Sequence, residues 1–92
     1  MKLSKALVAD KVRERLVGVH PGGVTLEVEE EKIYQIDQWW RVPIRPSRWP
    51  ERASDFYETL AEVATDLLEK DHVDVIFFTG APLEEEAEAM AA

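Results

Sequence analysis

Cysteine is absent from this 92-residue chain, and asparagine with it. Without thiols there is no disulfide, no thiolate nucleophile and no cysteine-bound zinc. Histidine occurs only as His20 and His72, and neither has a second imidazole at metal-ligand spacing. Both therefore read as exposed loop residues, and no metal or other cofactor is expected. Long apolar runs are missing too: nothing approaches the roughly 20 residues that span a bilayer. The stretch after Lys2 and Lys5 is cut by Asp10 too early for a signal peptide. There is no phosphate-binding glycine loop and no nucleophile elbow. Gly22-Gly23 reads as a turn, and Gly80 stands alone. These absences point to a non-enzymatic, cytoplasmic protein with no membrane partner.

What is present fits one small folded domain. Apolar residues make up 46% and charged residues 33%, enough for one modest core. The formal net charge of -8 is unevenly spread. Residues 1–52 hold ten Lys/Arg against eight Asp/Glu, whereas 53–92 hold one Lys against eleven Asp/Glu. Such acidity argues against general duplex binding, because neutralising phosphate dominates that affinity.

His20-Pro21-Gly22-Gly23 is a strong turn signal, since Pro presets φ and Gly tolerates positive φ. Folding the chain there places Val19 opposite Val24 and Val17 opposite Leu26, with an apolar and a charged face. A second turn is expected at Glu29–Lys32, leading into Ile33–Asp37. The pattern predicts an antiparallel β-meander over about 12–37, preceded by a short helix or extended arm at 3–10. Phe56, Leu60, Val63, Ala64, Leu67 and Leu68 form one helical stripe. With Ser54 as N-cap, they predict a helix over about 54–70. Val73–Thr79, apolar on both faces after Asp74, predicts an interior strand. Residues 1–82 then form a single α+β domain: a small antiparallel sheet, made of the N-terminal meander plus one later hydrophobic strand, with one long amphipathic helix packed on it. Residues 83–92 read as an acidic, helix-prone or frayed tail.

Between meander and helix, residues 39–52 pack three Trp, four Arg and three Pro into fourteen positions, opposed only by Glu51. Trp and Arg are the residue types enriched at binding hot spots. Prolines lower the entropy cost of holding a segment ready for a partner. Two readings stay open. In one, the segment is a contact surface made of Trp40, Arg41, Arg45, Arg48, Trp49 and Arg52, with Trp39 assigned to the core and an exchange of the two Trp roles left open. In the other it is a structural corner, with Arg48 or Arg52 paired to Asp55 or Glu58. Asp37, beside the Trp pair, reads as a brace for Arg41 or another arginine rather than as a general base.

The string Ile33-Tyr34-Gln35-Ile36-Asp37-Gln38-Trp39-Trp40-Arg41-Val42-Pro43-Ile44-Arg45 resembles a motif of the C-terminal region of ImuB-type proteins, shared with small stand-alone bacterial domains. ImuB-type proteins are inactive relatives of Y-family polymerases that serve bacterial mutagenic repair. The resemblance covers 13 of the 92 residues, and Ile36, Asp37, Trp39, Trp40 and Arg41 carry it. It implies a non-catalytic adaptor in DNA repair that contacts a polymerase, a clamp or a recombinase.

The expected function is thus a protein-interaction module, with another protein as partner. Single-stranded nucleic acid on the Trp/Arg segment is the second choice. A third reading makes the acidic 53–92 half a nucleic-acid mimic. An exposed strand edge also leaves room for a homodimer.

Overall fold

Ser4 starts the first element: its Oγ accepts the Leu7 N–H at 3.2 Å, capping helix α1, Lys5–Leu16. The computed structural model describes residues 3–83. The tail read over 83–92 lies, Leu83 apart, outside the described residues. The remaining elements are β1 (Leu26–Val28), β2 (Tyr34–Ile36), β3 (Trp39–Pro46), α2 (Ala53–Asp71) and β4 (Val75–Thr79). The α+β class, with its small sheet and long helix, is as expected.

The N-terminal third differs from the expected meander. Residues 12–16 belong to α1, so Pro21–Gly23 is a tight 3₁₀ turn joining helix to strand and not the tip of a hairpin. Tertiary contact decides this. Val8, Ala9 and Val12 are fully buried along one side of α1. Lys5 Nζ donates to the Glu31 carbonyl at 3.0 Å, and Arg13 reaches Glu30 at 2.8 Å. Burial of that side outweighs the strand preference of Val12, Val17 and Val19, a weak prior that packing overrides. Val17, expected opposite Leu26, is exposed.

Strand β3 is the axis of the sheet. β1 and β2 lie end to end along one of its edges, antiparallel, with Val28 opposite Ile44 and Tyr34 opposite Arg41. Between these points five residues of the outer edge, 29–33, face two of β3, Val42 and Pro43. The excess is taken up by the turn at Glu30–Lys32, where a turn was expected. On the other edge β4 runs parallel to β3, from Trp40 beside Val75 to Ile44 beside Thr79. The helix α2 makes the β3–α2–β4 crossover that parallel neighbours require.

The break between β1 and β2 also explains how a central strand holds a proline. Along β3 the even residues bond toward β4, as Trp40 N–H to Asp74 O at 2.8 Å shows. The nitrogen of Pro43 therefore faces the other edge, at the interruption where no ladder acceptor is needed. Its carbonyl still accepts the Glu29 N–H at 3.0 Å.

Both helices pack on one face of the sheet. Phe56, Leu60, Val63 and Leu67 of α2 join the α1 residues, Trp40, Val42, Ile44 and Val75 in a single core. Helix α2 begins one residue earlier than expected, with Arg52 and not Ser54 at the N-cap position and no side-chain cap bond. It ends at His72, whose left-handed backbone (φ 58°) turns the chain toward buried Val73. The expected interior strand is corrected as well. β4 pairs only with β3 among the described residues, so it is an edge strand, and Phe78 on its far face is 41% exposed.

Candidate functional site

Alternation along β3 sorts the Trp/Arg segment between two environments. Trp40, Val42, Ile44 and Pro46 point into the core, whereas Trp39, Arg41, Pro43 and Arg45 point to the face without helices. The two tryptophans exchange their expected roles: Trp40 is core at 8% exposure, and Trp39 is the surface residue at 38%. The reason lies in the hairpin. A two-residue loop, Asp37-Gln38, pairs Ile36 with Trp39, and this register sends Trp39 outward beside Ile36. Asp37 supplies the positive φ (56°) that the turn needs, a conformation Asp tolerates better than most residues. No ion pair joins it to Arg41 among the described residues, so it shapes the turn and braces no arginine.

The helix-free face carries a continuous apolar and aromatic patch built on three strands. Tyr34 and Ile36 come from β2, Trp39 and Pro43 from β3, and Ile76 and Phe78 from β4. Tyr34, Ile36, Trp39 and Phe78 are each more than a third exposed. At the centre Arg41 lies between two rings from opposite sides. Its guanidinium carbon is 6.0 Å from the Tyr34 centroid and 5.4 Å from that of Phe78. Both distances suit cation–π attraction. The Arg41 Nε is buried with no hydrogen-bond partner among the described residues. A buried donor left unpaired is costly and marks a place for an acceptor.

The other arginines of the segment have structural work. Arg45 Nε donates to the Ala81 carbonyl at 2.7 Å, and its NH2 group donates to that of Pro82 at 3.3 Å. Its other terminal nitrogen lies 3.8 Å from Glu29. Arg48 donates to the Gly23 carbonyl at 3.2 Å. Beside it, the Ser47 N–H donates to the Thr25 carbonyl at 2.9 Å, and the Ser47 hydroxyl oxygen accepts from the Thr25 N–H at 3.2 Å. Arg52 sits 3.9 Å from Asp55, exposed, as the corner reading expected. Trp49 of this loop is a large apolar side chain left 65% exposed. The fourteen-residue segment is thus half sheet and half anchored corner. Of the six proposed contact residues, Arg41 lies on the open face, Trp49 on the loop, and Trp40 in the core.

Tyr34, Ile36, Ile76 and Phe78 were not among the sequence candidates. The usable signal was in β4: a strand apolar on both faces needs cover on both. Among the described residues one long helix and one short one cover a single face.

Among the described residues no group of three or more His, Asp or Glu is placed to hold a metal ion. Among the described residues no helix is long and apolar enough to cross a membrane. Comparison with protein-family models, curated proteins and solved structures finds no match.

Proposed function

We propose that this chain is a small non-catalytic interaction module, and that it captures another protein on the open face of its sheet. The supporting observation is Arg41, held between Tyr34 and Phe78 with a buried, unpaired Nε, in a patch that neither helix covers. A partner fits that face if it brings a carboxylate or carbonyl to Arg41 and apolar side chains to Trp39, Ile36 and Phe78. Aromatic and Arg anchors of this kind dominate binding energies where they are desolvated together. A role in bacterial DNA repair rests on the ImuB-type resemblance of residues 33–45 alone. The acidic outer side of α2 is the solvated face of an amphipathic helix, and no observation favours it as a nucleic-acid mimic.

One observation favours a second reading. Exposed rings beside an arginine on an open sheet also suit stacking with single-stranded nucleic acid. The net charge of -8 and the carboxylates of Glu27 and Glu29 near Arg45 weigh against it.

Affinity capture should compare the wild type with Trp39→Ala/Arg41→Ala and with Arg48→Ala/Trp49→Ala. Circular dichroism would establish that each variant is folded. The open-face reading expects specific partners to be lost only with the first pair. Identical partner sets for all three proteins would reject it. An oligonucleotide that binds at low salt and dissociates steeply as salt rises would favour the second reading.

A further inference from the structure

The two edges of this sheet are treated differently. The β1/β2 edge is made of two three-residue strands, interrupted by the Glu30–Lys32 turn and carrying Glu27 and Glu29. Short strands, charge and interruption are the usual protections against edge-to-edge pairing. The β4 edge has none of these. Val75-Ile76-Phe77-Phe78-Thr79 is regular and free of charge and proline.

The ladder to β3 fixes which groups of β4 are unspent. Trp40 N–H bonds to Asp74 O, and Gly80 N–H bonds to Ile44 O. In a parallel pair only alternate residues bond to a given neighbour. Asp74, Ile76, Phe78 and Gly80 therefore turn inward to β3. Val75, Phe77 and Thr79 present their N–H and C=O groups to the free edge. This set of three is symmetric about Phe77. Beside the edge, a groove lies between β4 and α2, lined by Tyr57, Ala61, Ala64, Ile76, Phe77 and Thr79. Along α2, Tyr57, Ala61, Ala64 and Leu68 form a second stripe, large-small-small-large, distinct from the core stripe and uncharged.

We propose that β4 is a self-association edge. Two copies pair Val75–Thr79 antiparallel about a two-fold axis at Phe77, and their α2 stripes meet across the same axis. In that register Val75 of one copy opposes Thr79 of the other, and Ile76 opposes Phe78, so every cross-strand pair is free of charge. Tyr57 and Leu68 of one helix flank the alanines of the other, which makes the surface self-complementary, as a two-fold contact requires. Tyr57 is 59% and Leu68 45% exposed. Tyr57 and Leu68 are already partly buried and Phe77 mostly so, which leaves less than the roughly 800 Å² per partner of a standard interface, and the dimer therefore belongs to the weak, concentration-dependent class. The proposal concerns a different surface from the open face and stands without it. It has one consequence there: the two open faces become a single surface on an eight-stranded sheet, six strands wide because β1 and β2 lie end to end, with an Arg41 site on each side of the axis.

The test is the oligomeric state of the full chain by sedimentation, from micromolar to millimolar concentration, with amide exchange followed by NMR. The expected result is a concentration-dependent dimer in which the Val75, Phe77 and Thr79 amides become protected as it forms. Ala61→Glu, at an exposed helical position, should give a folded monomer in which those three amides exchange freely. A wild type that stays monomeric throughout would overturn the proposal. So would a dimer whose three amides exchange as fast as in the monomer, a folded Ala61→Glu that remains dimeric, or a monomer in which those three amides are already protected. Should Ala61→Glu fail to fold, the exchange pattern of the wild type decides alone.

Discussion

The Arg15 guanidinium grips the Asp71 carboxylate with two parallel hydrogen bonds, Nε at 2.9 Å and NH2 at 3.1 Å, and so ties the last turn of α1 to the last turn of α2. The fork matches the carboxylate geometry. The side chains retain 30% and 18% of their exposure, so water screens the pair and its net value is modest. The bond to Arg15 holds the Asp71 carboxyl below its ordinary value of 3.8. A carboxyl depressed on folding adds stability above its unfolded pKa and loses it as pH falls through the folded one. Asp71→Asn should therefore be less stable than the wild type at neutral pH. The difference should shrink below about pH 4, where the unfolded carboxyl already binds its proton. Urea midpoints measured across that range check this, and a difference independent of pH would refute the pairing.

The two adjacent tryptophans should differ sharply in their contribution to stability. Trp40 fills the core between the sheet and the helices, and removing a buried Trp side chain costs about 3–5 kcal/mol. Native domains hold about 5–15 kcal/mol in all, and small ones lie toward the low end. Trp40→Ala should leave the chain largely unfolded, and Trp40→Phe should preserve a cooperative transition. Trp39→Ala removes a side chain already 38% exposed and should cost roughly 1 kcal/mol or less. Equal losses for the two alanine variants would contradict the register of the Ile36–Trp39 hairpin.

The sequence was legible where one element's pattern had one solution. The α2 stripe from Phe56 to Leu67, the turn at Glu29–Lys32 and the end of β4 at Gly80 follow from spacing and turn chemistry. It was not legible where a choice depended on distant contacts. Val12 to Val19 suits a strand locally, and only the core site awaiting Val8, Ala9 and Val12 makes residues 12–16 helical. Trp39 and Trp40 are identical by composition, and the two-residue turn at Asp37 sets which one faces inward. The open face was hidden for a similar reason. Tyr34, Trp39 and Phe78 come from three strands, and Arg41 meets the two flanking rings only because β2 and β4 bracket β3.

Glycine substitutions should separate backbone strain from crowding. Gly18 and Gly22 both have positive φ, 76° and 62°. A Cβ at Gly18 meets open space, whereas at Gly22 it would lie 2.9 Å from the Pro50 Cβ. Gly18→Ala should cost about 1–2 kcal/mol, the strain of a left-handed non-glycine residue. Gly22→Ala should cost more, because it also pushes the 47–52 loop off the Pro21–Gly23 turn. Denaturant titration checks the order. Equal costs would show that the loop does not lean on that turn.

Arg45 lies in the most cationic part of the chain yet acts as a latch. From the end of β3 it reaches two consecutive carbonyls, Ala81 and Pro82, where the chain leaves β4. Gly80 lies against its stem: a Cβ there would meet the Arg45 Cγ at 3.3 Å. Lysine keeps the charge but has one ammonium and no fork, so it serves at most one of the two carbonyls well. Losing a hydrogen bond from a charged donor costs about 1.5–3 kcal/mol. Arg45→Lys should therefore lower stability by about 1–2 kcal/mol, part of the loss being recovered by the ammonium. It should also speed exchange of the Gly80 amide, which bonds to Ile44 at 2.8 Å, more than that of Trp40 at the other end of the same ladder. A contact role for Arg45 would predict the opposite: unchanged stability and exchange, with weakened capture of a partner.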